Sequence, residues 1–146
     1  MQLTDIDGAV AVDQAVAYAE FTFWPAKAMK KSLKTGASGY VYEIEDVCQG
    51  FILYRIAADQ CEILQIAVSP ACQRQGVGTS LLNACWHDCQ EQGANIINLD
   101  VRDSNTPARQ LYLKWGFEVV GWRKGYYRTG QGREDAILMS FKMSSA

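Results

Sequence analysis

Two glycines two positions apart, Gly76 and Gly78, stand between an apolar run and a helical one. The apolar run is Leu64-Gln65-Ile66-Ala67-Val68-Ser69-Pro70, and the helical periodicity continues to Gly93. Without a Cβ the backbone can turn tightly and approach a ligand closely. A helix that opens there presents unpaired N–H groups and the positive end of its dipole, an arrangement that suits a pyrophosphate. The spacing excludes two other phosphate sites. No Gly-Lys-Ser or Gly-Lys-Thr occurs, and three residues past Gly78 stands Leu81 where a dinucleotide fingerprint needs a third glycine. An ordinary strand-to-helix turn would have the same spacing.

A chain of 146 residues, 49% apolar and 21% charged, forms one domain over residues 1–146 with a sizeable core. Its net charge of −2 argues against a surface built for nucleic acid. Basic residues gather late, at Arg102, Arg109, Lys114, Arg123, Lys124, Arg128 and Arg133. They form either a patch for an anion or a solvated face. The five cysteines are scattered, with no Cys-x-x-Cys pair, which points to a reducing, cytoplasmic compartment. Cys85 and Cys89 share a helix face with Leu81 and Leu82 and read as core thiols, while His87 points elsewhere, so no metal site is expected. The first residues carry no basic-then-apolar signal, and no stretch approaches a membrane span.

The elements follow from periodicity and punctuation. Met1–Thr4 reads as a short edge strand. Asp7 can cap a helix running to about Phe21, and Phe21–Pro25 breaks it. A basic helix over 26–34 follows, either a plain surface helix or one wall of a substrate groove. Strands over 40–44, 50–57 and 61–68 make an antiparallel meander. The glycine turn and its helix come next, with Gly93 as C-terminal cap. The strand over 96–101 returns after that helix and so lies parallel to the one ending at Val68. Asn105 or Thr106 caps a helix over about 106–115, with Pro107 in its first turn. A strand over 117–123, a glycine-rich loop over 125–134 and a strand over 136–141 close the chain.

Two ordered motifs identify the chain as resembling the GNAT acetyltransferases. Gln73-x-x-Gly76-x-Gly78 resembles their coenzyme-A loop. Asn105-x-x-Ala108-x-x-Leu111-Tyr112-x-Lys114-x-Gly116-Phe117 resembles their second signature. Three stretches are similar to the RimI-type ribosomal-protein alanine N-acetyltransferases: Phe23-Trp24-Pro25, Leu99-Asp100-Val101-Arg102-x-Ser104-Asn105, and Tyr126-Tyr127-x-x-x-Gln131-Gly132-x-Glu134-Asp135-Ala136-Ile137-x-Met139.

The resemblance implies an α/β (α+β) fold whose central sheet is mixed, mostly antiparallel, splayed in a V and flanked by about four helices. It implies that acetyl-CoA lies in that V, paired through the backbone with Ile66, Ala67 and Val68, with the Val68 N–H as oxyanion donor. Arg74, Gln75, Gly76, Val77, Gly78 and Thr79 would hold the pyrophosphate, and Asn105 the region near the thiol. Tyr112 matches the family's proposed acid. Asp100 stands where RimI-type proteins have a glutamate as proposed base, one methylene longer. It could act through a water, anchor the substrate ammonium, or cap a turn, and Glu62 could add a carboxylate. Trp24, Tyr126, Tyr127, Glu134 and Asp135 are the expected substrate contacts. The implied acceptor is the N-terminal alanine of a small-subunit ribosomal protein. A lysine or small-amine acceptor, or an idle acyl-CoA-binding module, are the alternatives. A monomer or weak dimer without nucleic acid or membrane is expected.

Overall fold

A computed structural model describes residues 1–16, 26–73, 75–129 and 132–143. Trp24, Arg74 and Gln131 lie outside them, as do the expected end of the first helix and its aromatic break. In chain order the elements are α1 (Ile6–Val16), α2 (Ala26–Lys34), β1 (Ser38–Ile44), β2 (Val47–Ala57), β3 (Gln60–Val68), α3 (Val77–Gln92), β4 (Ile96–Arg102), α4 (Thr106–Trp115), β5 (Glu118–Thr129) and β6 (Gly132–Lys142). The strands form one sheet in the order β1-β2-β3-β4-β6-β5, antiparallel at every pairing except β3 with β4. The expected mixed sheet and its parallel return are therefore present.

Three expectations change. The first residues form a 3₁₀ turn over Leu3–Asp5 instead of an edge strand, because the Asp5 carboxylate accepts the Gln2 N–H at 2.7 Å and closes the chain on itself. The first helix then starts at Ile6, so Asp7 lies in its first turn and is not its cap. The glycine-rich stretch after Gly125 is strand for most of its length. A wide bulge sets Lys124, Gly125 and Tyr126 against Asp135, and the ladder resumes at Tyr127↔Glu134. Gly125, at φ +61°, makes the bulge, and its N–H donates to the Asp135 carboxylate at 2.9 Å.

The sheet has a core on each face. Cys61, Ile63, Leu82, Cys85, Ile97, Leu99, Tyr112 and Phe117 lie beneath α3 and α4. Ile6, Ala9, Val12, Met29, Phe51 and Ala67 lie beneath α1 and α2. A bulge in β3 decides which residues face which way. Leu53 pairs with Gln65 and Tyr54 with Ile63, so Leu64 is unpaired. An extra residue reverses the alternation beyond it. Ile63 and Ile66 therefore both reach the α3 side, while Ala67 turns to α1.

The start of α3 rests directly on the sheet. A Cβ on Gly50 of β2 would come within 3.0 Å of Val77 Cγ1 and 3.2 Å of the Ala67 carbonyl oxygen. Gly50→Ala should destabilise the fold by about 1–3 kcal/mol through overpacking at the foot of α3, read as a lower urea midpoint with an unchanged slope.

Candidate functional site

Strands β3 and β4 are joined by only three pairs, Gln60↔Ile96, Cys61↔Ile97 and Glu62↔Asn98. Beyond them β3 continues to Val68, held by β2, and β4 continues to Arg102, held by β6. The sheet is thus open between its third and fourth strands. Ser69 donates its N–H to Gln49 at 2.7 Å, so strand alternation aims the N–H and C=O of Val68 and Ile66 away from β2, into the opening. The Val68 carbonyl also accepts from the Gln73 side chain at 3.2 Å, which ties the following loop to the strand end.

That loop delivers the α3 N-terminus to the same end of the sheet. Gly76 takes φ +84°, a left-handed turn that favours glycine, and a Cβ there would meet nothing within 4 Å. Its outer side is open, as a bound phosphate requires. Gly78 also meets a packing constraint. Its Cβ would lie 2.7 Å from Leu111 Cδ2, so its lack of a side chain lets α3 and α4 pack closely. Val77 is buried as an anchor, while Gln75 and Thr79 are exposed beside the free N–H groups of the first turn.

On the opposite side of the opening, α4 begins at Asn105, whose side-chain oxygen caps it by accepting the Ala108 N–H at 3.3 Å. About two turns further in lies Tyr112, 5% exposed and edge-on to Phe117 at 5.7 Å. Burial, with a smaller effect from Tyr127, raises its hydroxyl above the ordinary tyrosine pKa, so it keeps its proton at neutral pH.

Tyr127 is brought to this place by the β5 bulge. Its pKa is pushed up to about 12, first by burial and then by the Asp100 carboxylate, against an opposing effect from Arg102. Asp100 is exposed on β4, past the last β3–β4 pair and on the sheet face opposite Leu99 and Val101. Tyr127 thus feels the Asp100 carboxylate and in turn acts on Tyr112. Tyr126 is half exposed, edge-on to Tyr127 at 5.0 Å, with the Arg123 guanidinium 5.3 Å from its ring centre. Glu62 sits at the fork, opposite Asn98.

Glu134 and Asp135, expected to meet a substrate, are engaged within the fold. Asp135 holds the bulge through Gly125. Glu134 accepts the Ser104 N–H at 2.6 Å and faces the Arg102 guanidinium at 3.5 Å. Arg102 in turn lies 4.2 Å from the Tyr127 ring centre. Two supporting residues were given no role by the sequence. Arg102 was visible only as one of the late basic residues and as part of the Leu99-to-Asn105 stretch, with nothing to aim it at Glu134 and Tyr127. Asp13, buried in α1, accepts a hydrogen bond from Gln65 beside the open stretch of β3 and left no signal in the periodicity.

The buried thiols of Cys85 and Cys89 are joined by Cys61 of β3, all three sulfurs lying within 4.8 Å of one another. This cluster belongs to the closed end of the fork, since Cys61 pairs with Ile97. His87 is exposed and pairs with Glu91 at 3.3 Å.

A sheet opened between two parallel strands, with a glycine-led helix N-terminus and a buried tyrosine at its mouth, is the framework of a coenzyme-dependent acyltransferase class. The sequence profile of the acetyltransferase (GNAT) family matches residues 9–117, and the chain belongs to that family. Among its relatives, the ribosomal protein bS18-alanine N-acetyltransferase of Escherichia coli K12 is 38% identical over 94 residues, 64% of this chain and 64% of that protein, just under two thirds of its length. The protein of that name in Haemophilus ducreyi is 36% identical over 100 residues, 68% of this chain and 69% of that one. The crystal structure of the ribosomal-protein-S18-alanine N-acetyltransferase from Escherichia coli superposes with a TM-score of 0.89 at 31% identity, over 100% of this chain and 92% of that one. No described helix is long and apolar enough to cross a membrane.

Burial disfavours a charged Glu134, but its bonds from Ser104 and Arg102 outweigh this and lower its pKa. A lowered carboxyl stabilises the fold above the unfolded value of about 4.3 and loses that contribution as pH falls through the folded value. Glu134→Gln should cost about 2–4 kcal/mol at pH 7, because it leaves the buried Arg102 without its carboxylate. The gap between wild type and variant should narrow as urea unfolding is repeated from pH 5 down to pH 3.

Proposed function

We propose that this chain is a RimI-type N-acetyltransferase that transfers the acetyl group of acetyl-CoA to the α-amine of an N-terminal alanine, that of a small-subunit ribosomal protein of the S18 kind. The single observation that carries this is the fork in the sheet, which opens beside the glycine-led start of α3. The relatives named above bear that activity in their names, and it is extended here to this chain.

Acetyl-CoA fits the groups present and would supply an activated thioester. The unpaired backbone of Ile66 and Val68 would hold its pantetheine arm as an added strand, on either side of Ala67. N–H groups over Gln75–Thr79, with Arg74 beside them, would hold its pyrophosphate. The Val68 N–H would donate to the thioester oxygen as that atom gains charge, and Asn105 would contact the arm near the sulfur.

The incoming amine would attack the thioester carbon directly. An α-amine has a pKa of about 8, against about 10.4 for lysine, so roughly a tenth is already neutral at pH 7. Asp100 therefore needs only to anchor the ammonium and accept its proton, directly or through a water. Tyr112, which stays protonated, would give its proton to the departing thiolate. Tyr127, stacked on Arg102, and the more exposed Tyr126 would grip the first residues of the acceptor, with Trp24 contributing from the aromatic break. Glu134 and Asp135 would serve by holding that tyrosine pair in place. The thiols and the ribosomal acceptor together suit the cytoplasm.

The deciding assay measures thiol release with a peptide beginning in a free alanine, the same peptide N-blocked with an internal lysine, and a polyamine. Turnover confined to the free alanine terminus is expected. Turnover with lysine or polyamine moves the acceptor claim elsewhere, and binding of acetyl-CoA without any turnover marks an idle module. Tyr112→Phe should lower kcat by about 10²–10⁴-fold with little change in acetyl-CoA affinity. Asp100→Asn should lose most activity at low pH, where the amine is protonated, whereas an equal loss at every pH would mark a purely positional role.

A further inference from the structure

Helix α2 carries Lys27, Lys30, Lys31 and Lys34 among its nine residues and no acid at all. The spacing i, i+3, i+4, i+7 sets all four in one row. Each is exposed, and none enters an ion pair among the described residues. In a chain of net charge −2, a row of like charges one turn apart opposes the helix that bears it. The helix is held by its other side, where Met29 and Leu33 pack against α1 and the sheet. At the C-terminal end the row gains a fifth cation, because Arg55 of β2 donates to the Thr35 hydroxyl at 3.3 Å. The four lysines and Thr35 line a shallow depression of about 560 Å³.

We propose that this face of α2 is a docking surface for the phosphate backbone of single-stranded RNA. The row is about 10 Å long at 1.5 Å per residue, and a stacked strand carries a phosphate about every 3.4 Å of its axis, so the row covers about three spacings, or about four phosphates. Compact ammonium groups need only be placed near phosphates to bind them. A protein partner would need an apolar or aromatic anchor at the centre of the contact, and the row holds none. A membrane would need an apolar helix face to insert, and that of α2 is buried beneath α1. The choice of RNA over DNA rests on the ribosomal acceptor proposed above. The whole-chain charge argued against nucleic acid because it averages over a surface on which these lysines are concentrated.

The test is fluorescence anisotropy of a labelled twelve-residue oligouridine with the full chain between 50 and 200 mM salt. Binding needs no acceptor, so its result is read apart from the acetylation assay. The expected log–log salt slope is about −0.7 per lysine engaged, near −3 for the row. Changing the four lysines to glutamine should weaken binding at least tenfold at 50 mM salt and flatten the slope, and single changes such as Lys30→Gln should each lower the slope by about 0.7. Changing all four to arginine should keep both affinity and slope. Circular dichroism and thermal melting check that each variant is folded. The proposal is overturned if the wild type shows no saturable binding, or if the glutamine variant binds with unchanged affinity and slope. Displacement of the RNA by polyglutamate of matched charge would assign the surface to an acidic protein and overturn it equally.

Discussion

A sheet that parts in its middle must leave backbone groups without strand partners, and the rest of this structure is arranged around that requirement. Three pairs hold β3 to β4, and then the strands diverge while each stays bonded to its other neighbour. Unpaired N–H and C=O groups within a domain need water or a ligand. The unpaired Leu64 lies on the open side of the fork and reverses the facing of Ile66, Ala67 and Val68 relative to Cys61 and Ile63. Two side-chain contacts steady the free strand end: Gln65 with the buried Asp13 on one face, and Gln73 with the Val68 carbonyl.

The two ends of the fork divide the work. The closed end is apolar and sealed, with the three thiols beneath α3 and the Trp86, Trp115, Phe117 and Phe141 rings beside them. The site proposed at the open end is borrowed from several elements. Asp100 comes from β4, Tyr112 from α4 and Tyr127 from β5, and no two of these are neighbours in sequence. Arg102 and Glu134 join those elements, since one guanidinium meets a β6 carboxylate and a β5 ring, and that carboxylate also takes an N–H from the turn before α4.

Much of this was legible in the chain because it is written locally. A left-handed glycine before a helix, an asparagine and a proline at a helix start, and alternation in β4 each act within a few residues, so Gly76, Asn105 and the facing of Leu99 and Val101 came through. Bulges were not legible, because an extra residue is defined only by the partner strand. That is why Tyr126 and Tyr127 read as loop and are strand. Arg102, Asp13 and Cys61 share a second reason. Their partners lie between 24 and 52 residues away, beyond the reach of any periodicity. The close approach of Leu111 to Gly78 was not legible either, since nothing in sequence says which helix would pack there.

The last strand in the sheet order, β5, has no strand on its outer edge among the described residues, and its Val120 and Trp122 are well exposed. A long apolar edge of that kind is a template on which further copies can add strand by strand. Here the ladder is broken twice, after Val119 and again before Tyr127, and Arg123, Lys124 and Arg128 stand exposed along it. An irregular, cationic rim offers no continuous register to an incoming chain. The distortion that carries Tyr127 thus also makes this edge a poor template for strand addition.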